Sequence, residues 1–171
     1  QPSEQTIIGN TMYFLACPTS GTTSDGMELF SMDTNFNVTK LTSYQYPISH
    51  GWTTNPNNSL GVFNNKIFFM AKDANIGQDF CSYDISTGAV SVVKHMNNVS
   101  PSNGFQSEFI TYRNKLYFTG DDSVHGLEIW VYDGVNPPAL FKDVFSGLSS
   151  SSPYSLRLYN DRIYFSATTF A

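Results

Sequence analysis

Asn114-Lys-Leu-Tyr-Phe118, followed by Leu127-Glu-Ile-Trp-Val-Tyr-Asp133, decides the fold. The first stretch is a polar turn pair, then apolar, aromatic, Phe; the second is an apolar strand closed by an Asp. Both recur along the chain. Asn10-Thr-Met-Tyr-Phe14, Asn65-Lys-Ile-Phe-Phe69 and Asp161-Arg-Ile-Tyr-Phe165 match the first pattern, and the four copies are spaced by 55, 49 and 47 residues. Met27-Glu-Leu-Phe-Ser-Met-Asp33 and Gln78-Asp-Phe-Cys-Ser-Tyr-Asp84 match the second, at spacings of 51 and 49. Two independent markers that keep one period define a tandem unit of about 50 residues.

Each unit reads as four short strands. In the Asn-Lys-Ile-Phe-Phe strand, alternation places Ile67 and Phe69 on one face and Phe68 on the other. The Leu-Glu-Ile-Trp strand follows, and its final Asp is suited to bind the backbone of the next turn, as at Asp84 and Asp133. A third strand holds Val90 to Met96 or Leu140 to Val144. A fourth, such as 59–63 or 155–159, leads through an Asn-Asn, Arg-Asn or Asn-Asp pair into the next unit. No run of ten residues carries a 3.6-residue period. The expected fold is all-β: blades of a β-propeller, built as tandem four-stranded antiparallel sheets. The expected repeats are 2–56, 57–105 and 106–152, with a partial repeat at 153–171, in a single propeller-like region 1–171.

The segment from Gly120 to Gly134, with Leu140-Phe-Lys-Asp-Val144 and Asn160-Asp-Arg-Ile-Tyr-Phe-Ser-Ala167, resembles the repeat of ELWxxDGT (hyalin-like) proteins. The match is close over 114–167 and looser in the first two units, where Phe30 and Cys81 stand in place of Trp. The resemblance implies a propeller in secreted or surface proteins and supplies no catalytic residue.

Composition narrows the function. Charged residues are 13% of the 171 and aromatics 15%, with a net charge of −5; soluble domains carry about 25% charged residues, so the surface here rests on Asn, Ser and Thr. That balance leans to an extracellular or cell-surface setting. No Lys/Arg cluster is present, which removes the electrostatic footing for nucleic acid. The longest apolar run, Met12 to Cys17, is far shorter than the roughly 18 residues of a membrane helix. Cys17 and Cys81 form one bridge or stay as two buried thiols. The sequons at Asn37, Asn57 and Asn98 are as many as chance gives in so Asn- and Ser-rich a chain. Three blades do not close a ring, so the remaining blades are expected from a longer protein or from identical chains.

Two groups of residues invite a site. Asp121, Asp122, His125 and Glu128 could be drawn as a metal site, with Ca²⁺ as the ion, although the spacing departs from a calcium loop and a turn needs the same residues; no other cofactor is expected. Tyr44, Tyr46, His50 and Trp52 lie in the least regular stretch, where exposed aromatics beside hydroxyls would suit a sugar ring or a protein partner, or would cover the blade beneath. No Gly-x-Ser-x-Gly elbow accompanies the histidines. The expected function is a non-catalytic structural or adhesion module contacting proteins or glycans. A lectin-like carbohydrate-binding propeller is the alternative, and a hydrolase the third. A lectin would repeat its polar and aromatic ligands at the 50-residue period; the repeating residues are mostly apolar strand positions and one Asp.

Overall fold

The computed structural model describes residues 4–16, 27–43, 60–72, 77–97 and 107–169. Fourteen strands form the described chain, and no helix occurs among the described residues. The first sheet joins β1 (Glu4–Ile8), β2 (Thr11–Ala16), β3 (Glu28–Met32) and β4 (Val38–Lys40) in chain order. The second joins β5 (Gly61–Phe63), β6 (Lys66–Lys72), β7 (Gln78–Asp84) and β8 (Val90–Asn97), and the third β9 (Phe109–Tyr112), β10 (Lys115–Asp121), β11 (Leu127–Tyr132) and β12 (Ala139–Lys142). β13 (Tyr154–Tyr159) and β14 (Arg162–Ser166) form a two-stranded sheet. Every pairing is antiparallel. These are successive blades of a β-propeller.

Each sheet opens with a hairpin whose turn is set by two residues. Phe63 pairs with Lys66, Tyr112 with Lys115 and Tyr159 with Arg162. Between them, Asn64 and Asn65, Arg113 and Asn114, and Asn160 and Asp161 all have positive φ, from 45° to 58°. Positive φ at both central residues is the turn that matches strand twist, and Asn and Asp tolerate it best. The strand before each such turn is therefore hydrogen-bonded to the strand after it.

Alternation then divides the side chains between neighbouring blades. Ile67, Phe69 and Ala71 of β6 and Cys81 and Tyr83 of β7 pack on Tyr13, Leu15, Met27 and Leu29 of the first sheet and its edge. Phe68 and Met70, from the other face of β6, join Phe80 and Met96 against Leu116, Phe118 and Trp130 of the third sheet. The rings of Phe80 and Phe118 lie 4.3 Å apart and 9° from parallel. The expected faces of Ile67, Phe68 and Phe69 are the observed ones. The opening strands lie side by side, β5 against β9 and β9 against β13, and Thr111 Oγ1 donates to the Val62 carbonyl at 2.6 Å across the first of these seams.

The Asp that ends the Leu-Glu-Ile-Trp-type motif closes a turn in each four-stranded sheet. Asp33 accepts from the amides of Asn35 and Asn37, Asp84 from Ser86 and Thr87, and Asp133 from Val135 and Asn136. The Asn136 side chain adds a bond to Asp133 at 2.8 Å. That side-chain donor, then the two amides, pull the Asp133 carboxyl down to about 2 from its ordinary 3.8. Because the folded value is the lower one, the turn's contribution is present above pH 3.8 and fades as pH falls toward 2. An NMR titration of the Asp133 carboxyl should find its midpoint near 2; a midpoint at 3.8 would remove these donors from solution structure.

Candidate functional site

The β10–β11 turn gathers most of the polar side chains that suggested a metal. Asp121 Oδ1 accepts from Ser123 N at 2.6 Å. Asp122 Oδ1 accepts from the amides of Val124 and His125 at 3.0 and 2.9 Å, and its Oδ2 lies 2.9 Å from His125 Nδ1. Burial works to raise the Asp122 carboxyl, but the His125 amide and imidazole and the Val124 amide outweigh it and hold the carboxyl below 3.8. Ser123 and Gly126 take positive φ, 64° and 66°, in the same turn. A Cβ on Gly126 would sit 2.6 Å from the Ser149 carbonyl oxygen, so the turn is packed closely on the loop 143–152.

Glu128 is turned away from this turn's carboxylates and is fully buried. Its Oε2 accepts from Val144 N at 3.1 Å and from Ser151 Oγ at 2.6 Å; its Oε1 accepts from Ser151 N at 2.9 Å and Phe145 N at 3.4 Å. A buried carboxylate needs such donors to offset lost hydration. Asp121, Asp122, His125 and Glu128 thus do not converge on one point, and among the described residues no three His, Cys, Asp or Glu side chains are placed to hold a metal ion.

The positions equivalent to Glu128 in the other blades are Glu28 and Asp79, both buried. Glu28 accepts from Thr42 Oγ1 and pairs with Lys40 Nζ at 3.3 Å. Asp79 Oδ1 lies 2.7 Å from Nδ1 of His95, whose side chain is 74% exposed. The neighbouring backbone is treated alike: Leu29 N, Gln78 N and Leu127 N donate to Thr42 Oγ1, Asn97 Oδ1 and Ser150 Oγ. The recurring acid therefore fastens the end of its own blade. Sequence reading singled out Glu128 as a candidate ligand and missed that role, because the donors come from loops without periodicity.

Tyr44, Tyr46, His50 and Trp52 lie outside the described residues, as does Cys17; Cys81 is buried beside Phe69.

A groove that the sequence did not suggest opens between the third sheet and β13–β14. Its volume is about 360 Å³. Tyr112, Tyr117, Ile129 and Phe141 line it from the third sheet, and Asp161, Arg162, Ile163 and Phe165 from the β13–β14 hairpin. Phe141 meets the Tyr117 ring edge-on at 5.1 Å and is 54% exposed. The groove's inner end is fixed by hydrogen bonds: Tyr112 Oη donates to the Asp161 carbonyl at 2.6 Å, Arg113 pairs with the Asp161 carboxylate, and Glu108 accepts from Ser155 N and Leu156 N at 2.9 and 2.7 Å. The Arg113 guanidinium and then the Tyr112 hydroxyl hold the Asp161 carboxyl below its ordinary value.

No family model matches the chain, and no curated protein does. Among solved structures, TolB from Acinetobacter baumannii, a β-propeller protein, is similar with a TM-score of 0.50 at 17% identity. The match covers 77% of this chain and 29% of that chain. At this identity the likeness is one of fold.

Proposed function

We propose that this run of propeller blades serves as a non-catalytic structural or adhesion module of an extracellular or surface protein, contacting protein or glycan partners. The observation that carries this reading is the fate of the recurring acid. Glu28, Asp79 and Glu128 are buried and engaged within their own blades, so the polar position that keeps the repeat period maintains the fold. A lectin of repeated pockets would turn such a position outward. The Asn-, Ser- and Thr-rich composition supports the surface setting.

Exposed apolar side chains on the first sheet support a role through contacts. On one face of the first sheet, Phe14, buried at 8% exposure, stacks with the half-buried Phe30 at 5.7 Å, and beside them Ile7 and Val38 are 71% and 56% exposed. In the second and third sheets the positions matching Phe14, which are Phe69 and Phe118, are fully covered by the preceding blade. Remaining blades of the same protein or identical chains are the partners that such a face fits.

Beads coated with the protein should be retained under flow on protein-coated or glycan-coated surfaces more strongly than albumin-coated beads. Equal retention would sink the adhesion reading. Retention on one glycan, lost separately with Glu28→Gln, Asp79→Asn and Glu128→Gln in variants that remain folded, would favour the lectin instead.

A further inference from the structure

We propose that Asn37 is a site of N-linked glycosylation and that the first sugar of its glycan covers the exposed ring of Phe36. This rests on the reading of the chain as part of an extracellular or surface protein, and assigns a modification to one turn of it.

Asn-x-Ser/Thr triplets begin at Asn37, Asn57 and Asn98, as many as chance gives, so the triplet alone selects none of them. A modified Asn has to stay at the surface of the folded chain. Asn37-Val-Thr39 meets that condition: Asn37 ends the turn between β3 and β4, and the whole stretch 34–40 is exposed. Asn57 and Asn98 lie outside the described residues. The exposure belongs to the place in the blade. In the second sheet, which is packed by a neighbouring sheet on each face, the matching turn residues 86–89 are exposed as well.

The turn presents the acceptor atom in a fixed direction. Asp33 Oδ1 accepts from Asn37 N at 2.9 Å and Asp33 Oδ2 from Asn37 Nδ2 at 2.8 Å. The side-chain amide carries two hydrogens, and Asp33 takes one. With a lipid-linked oligosaccharide diphosphate as donor, the Nδ2–C1 bond forms as the C1–O bond of the first sugar breaks; Nδ2 gives up one proton and the lipid diphosphate departs. The hydrogen that remains still serves Asp33, so the sugar and the turn coexist.

Phe36, directly before the acceptor, has a φ of 62° and a ring that is 78% exposed. In the second sheet Gly88 takes this place, with a φ of 73°: Asp33 N donates to the Asn37 carbonyl as Asp84 N does to that of Ala89, one residue later in each case. The position suits glycine, and a bulky residue there holds a strained backbone, which marks functional positions. Phe36 belongs to neither core cluster. A sugar on the adjacent Nδ2 would lay its C–H face and N-acetyl methyl on the ring and take apolar surface out of water.

The full chain is produced behind a secretory leader in yeast and, as a control, in the cytosol. Peptide-N-glycosidase in heavy-oxygen water should convert Asn37 to labelled Asp in the secreted form only. Thr39→Ala, which leaves the contacts of Asp33 in place, should abolish that label, and Thr39→Ser should keep it. After endoglycosidase trimming to the first sugar, nuclear Overhauser contacts should join its N-acetyl methyl to the Phe36 ring. The trimmed protein should unfold at a higher urea midpoint than Thr39→Ala, and the difference should vanish in a Phe36→Gly background. An unmodified Asn37 in secreted, folded protein would overturn the site. A modified Asn37 with neither ring contact nor midpoint difference would overturn the covering of Phe36. A modified Asn37 beside a failed bead assay would sink the adhesion reading alone, and retained beads with Asn37 unmodified would sink this site alone.

Discussion

Phe118→Ala is expected to destabilise the chain by about 3–5 kcal/mol. Phe118 is fully buried at the seam of the second and third sheets, stacked on Phe80 at 4.3 Å and beside Phe109 at 5.9 Å. Removing the ring forfeits its transfer free energy and leaves a cavity, and the surrounding rings belong to two different sheets that cannot both close on it. A domain of ordinary stability holds about 5–15 kcal/mol, so this single change removes a large fraction. Phe69→Ala, at the corresponding seam with the first sheet, should behave alike. Phe141→Ala is the control, since a half-exposed ring outside both core clusters should change stability by about 0.5 kcal/mol or little more. Urea unfolding of the three variants tests the ordering. Equal midpoints for Phe118→Ala and Phe141→Ala would contradict the stacked-blade core.

Glu128→Ala should be nearly as severe, at about 3–5 kcal/mol, although the residue is polar. The change strands the amides of Val144, Phe145 and Ser151 and the Ser151 hydroxyl, and an unsatisfied buried donor costs about 1–3 kcal/mol each before any relaxation admits water. Glu128→Gln retains one acceptor oxygen but points its NH₂ at donors, so it should fall between the wild type and Ala. The distinguishing measurement is amide exchange: Val144 and Ser151 should lose protection ahead of the β9–β10 pair. A Glu128→Ala protein with wild-type stability and an unchanged 143–152 loop would mean that the carboxylate is not holding that loop.

These two sites differ in how far they could be foreseen. Phe118 is legible because its partners are implied by the pattern that identifies it: a strand alternating Leu116, Tyr117, Phe118 has one face for each neighbour, and copies at the same period supply the facing rings. Glu128 is visible as one member of an acidic, His-containing segment, and composition cannot tell a ligand from a clamp. Its donors lie 16 to 23 residues away in the chain, in a loop whose path follows no repeat. The groove was harder still, since it depends on the difference between a four-stranded sheet and the two strands stacked on it. The aromatic group around Trp52 lies in a stretch outside the described residues.

By itself the sequence determined the all-β architecture, the blade repeat, the polar turn pairs and the Asp that closes each Leu-Glu-Ile-Trp-type strand. All of these follow from interactions within a few residues or from side-chain alternation along one strand, which are local and period-bound. Only the tertiary structure decided that the recurring acid is consumed inside its blade and that a groove lies between the third sheet and β13–β14. Both depend on what distant loops and neighbouring sheets bring to a given atom, and burial, unlike periodicity, is a property of the packed chain.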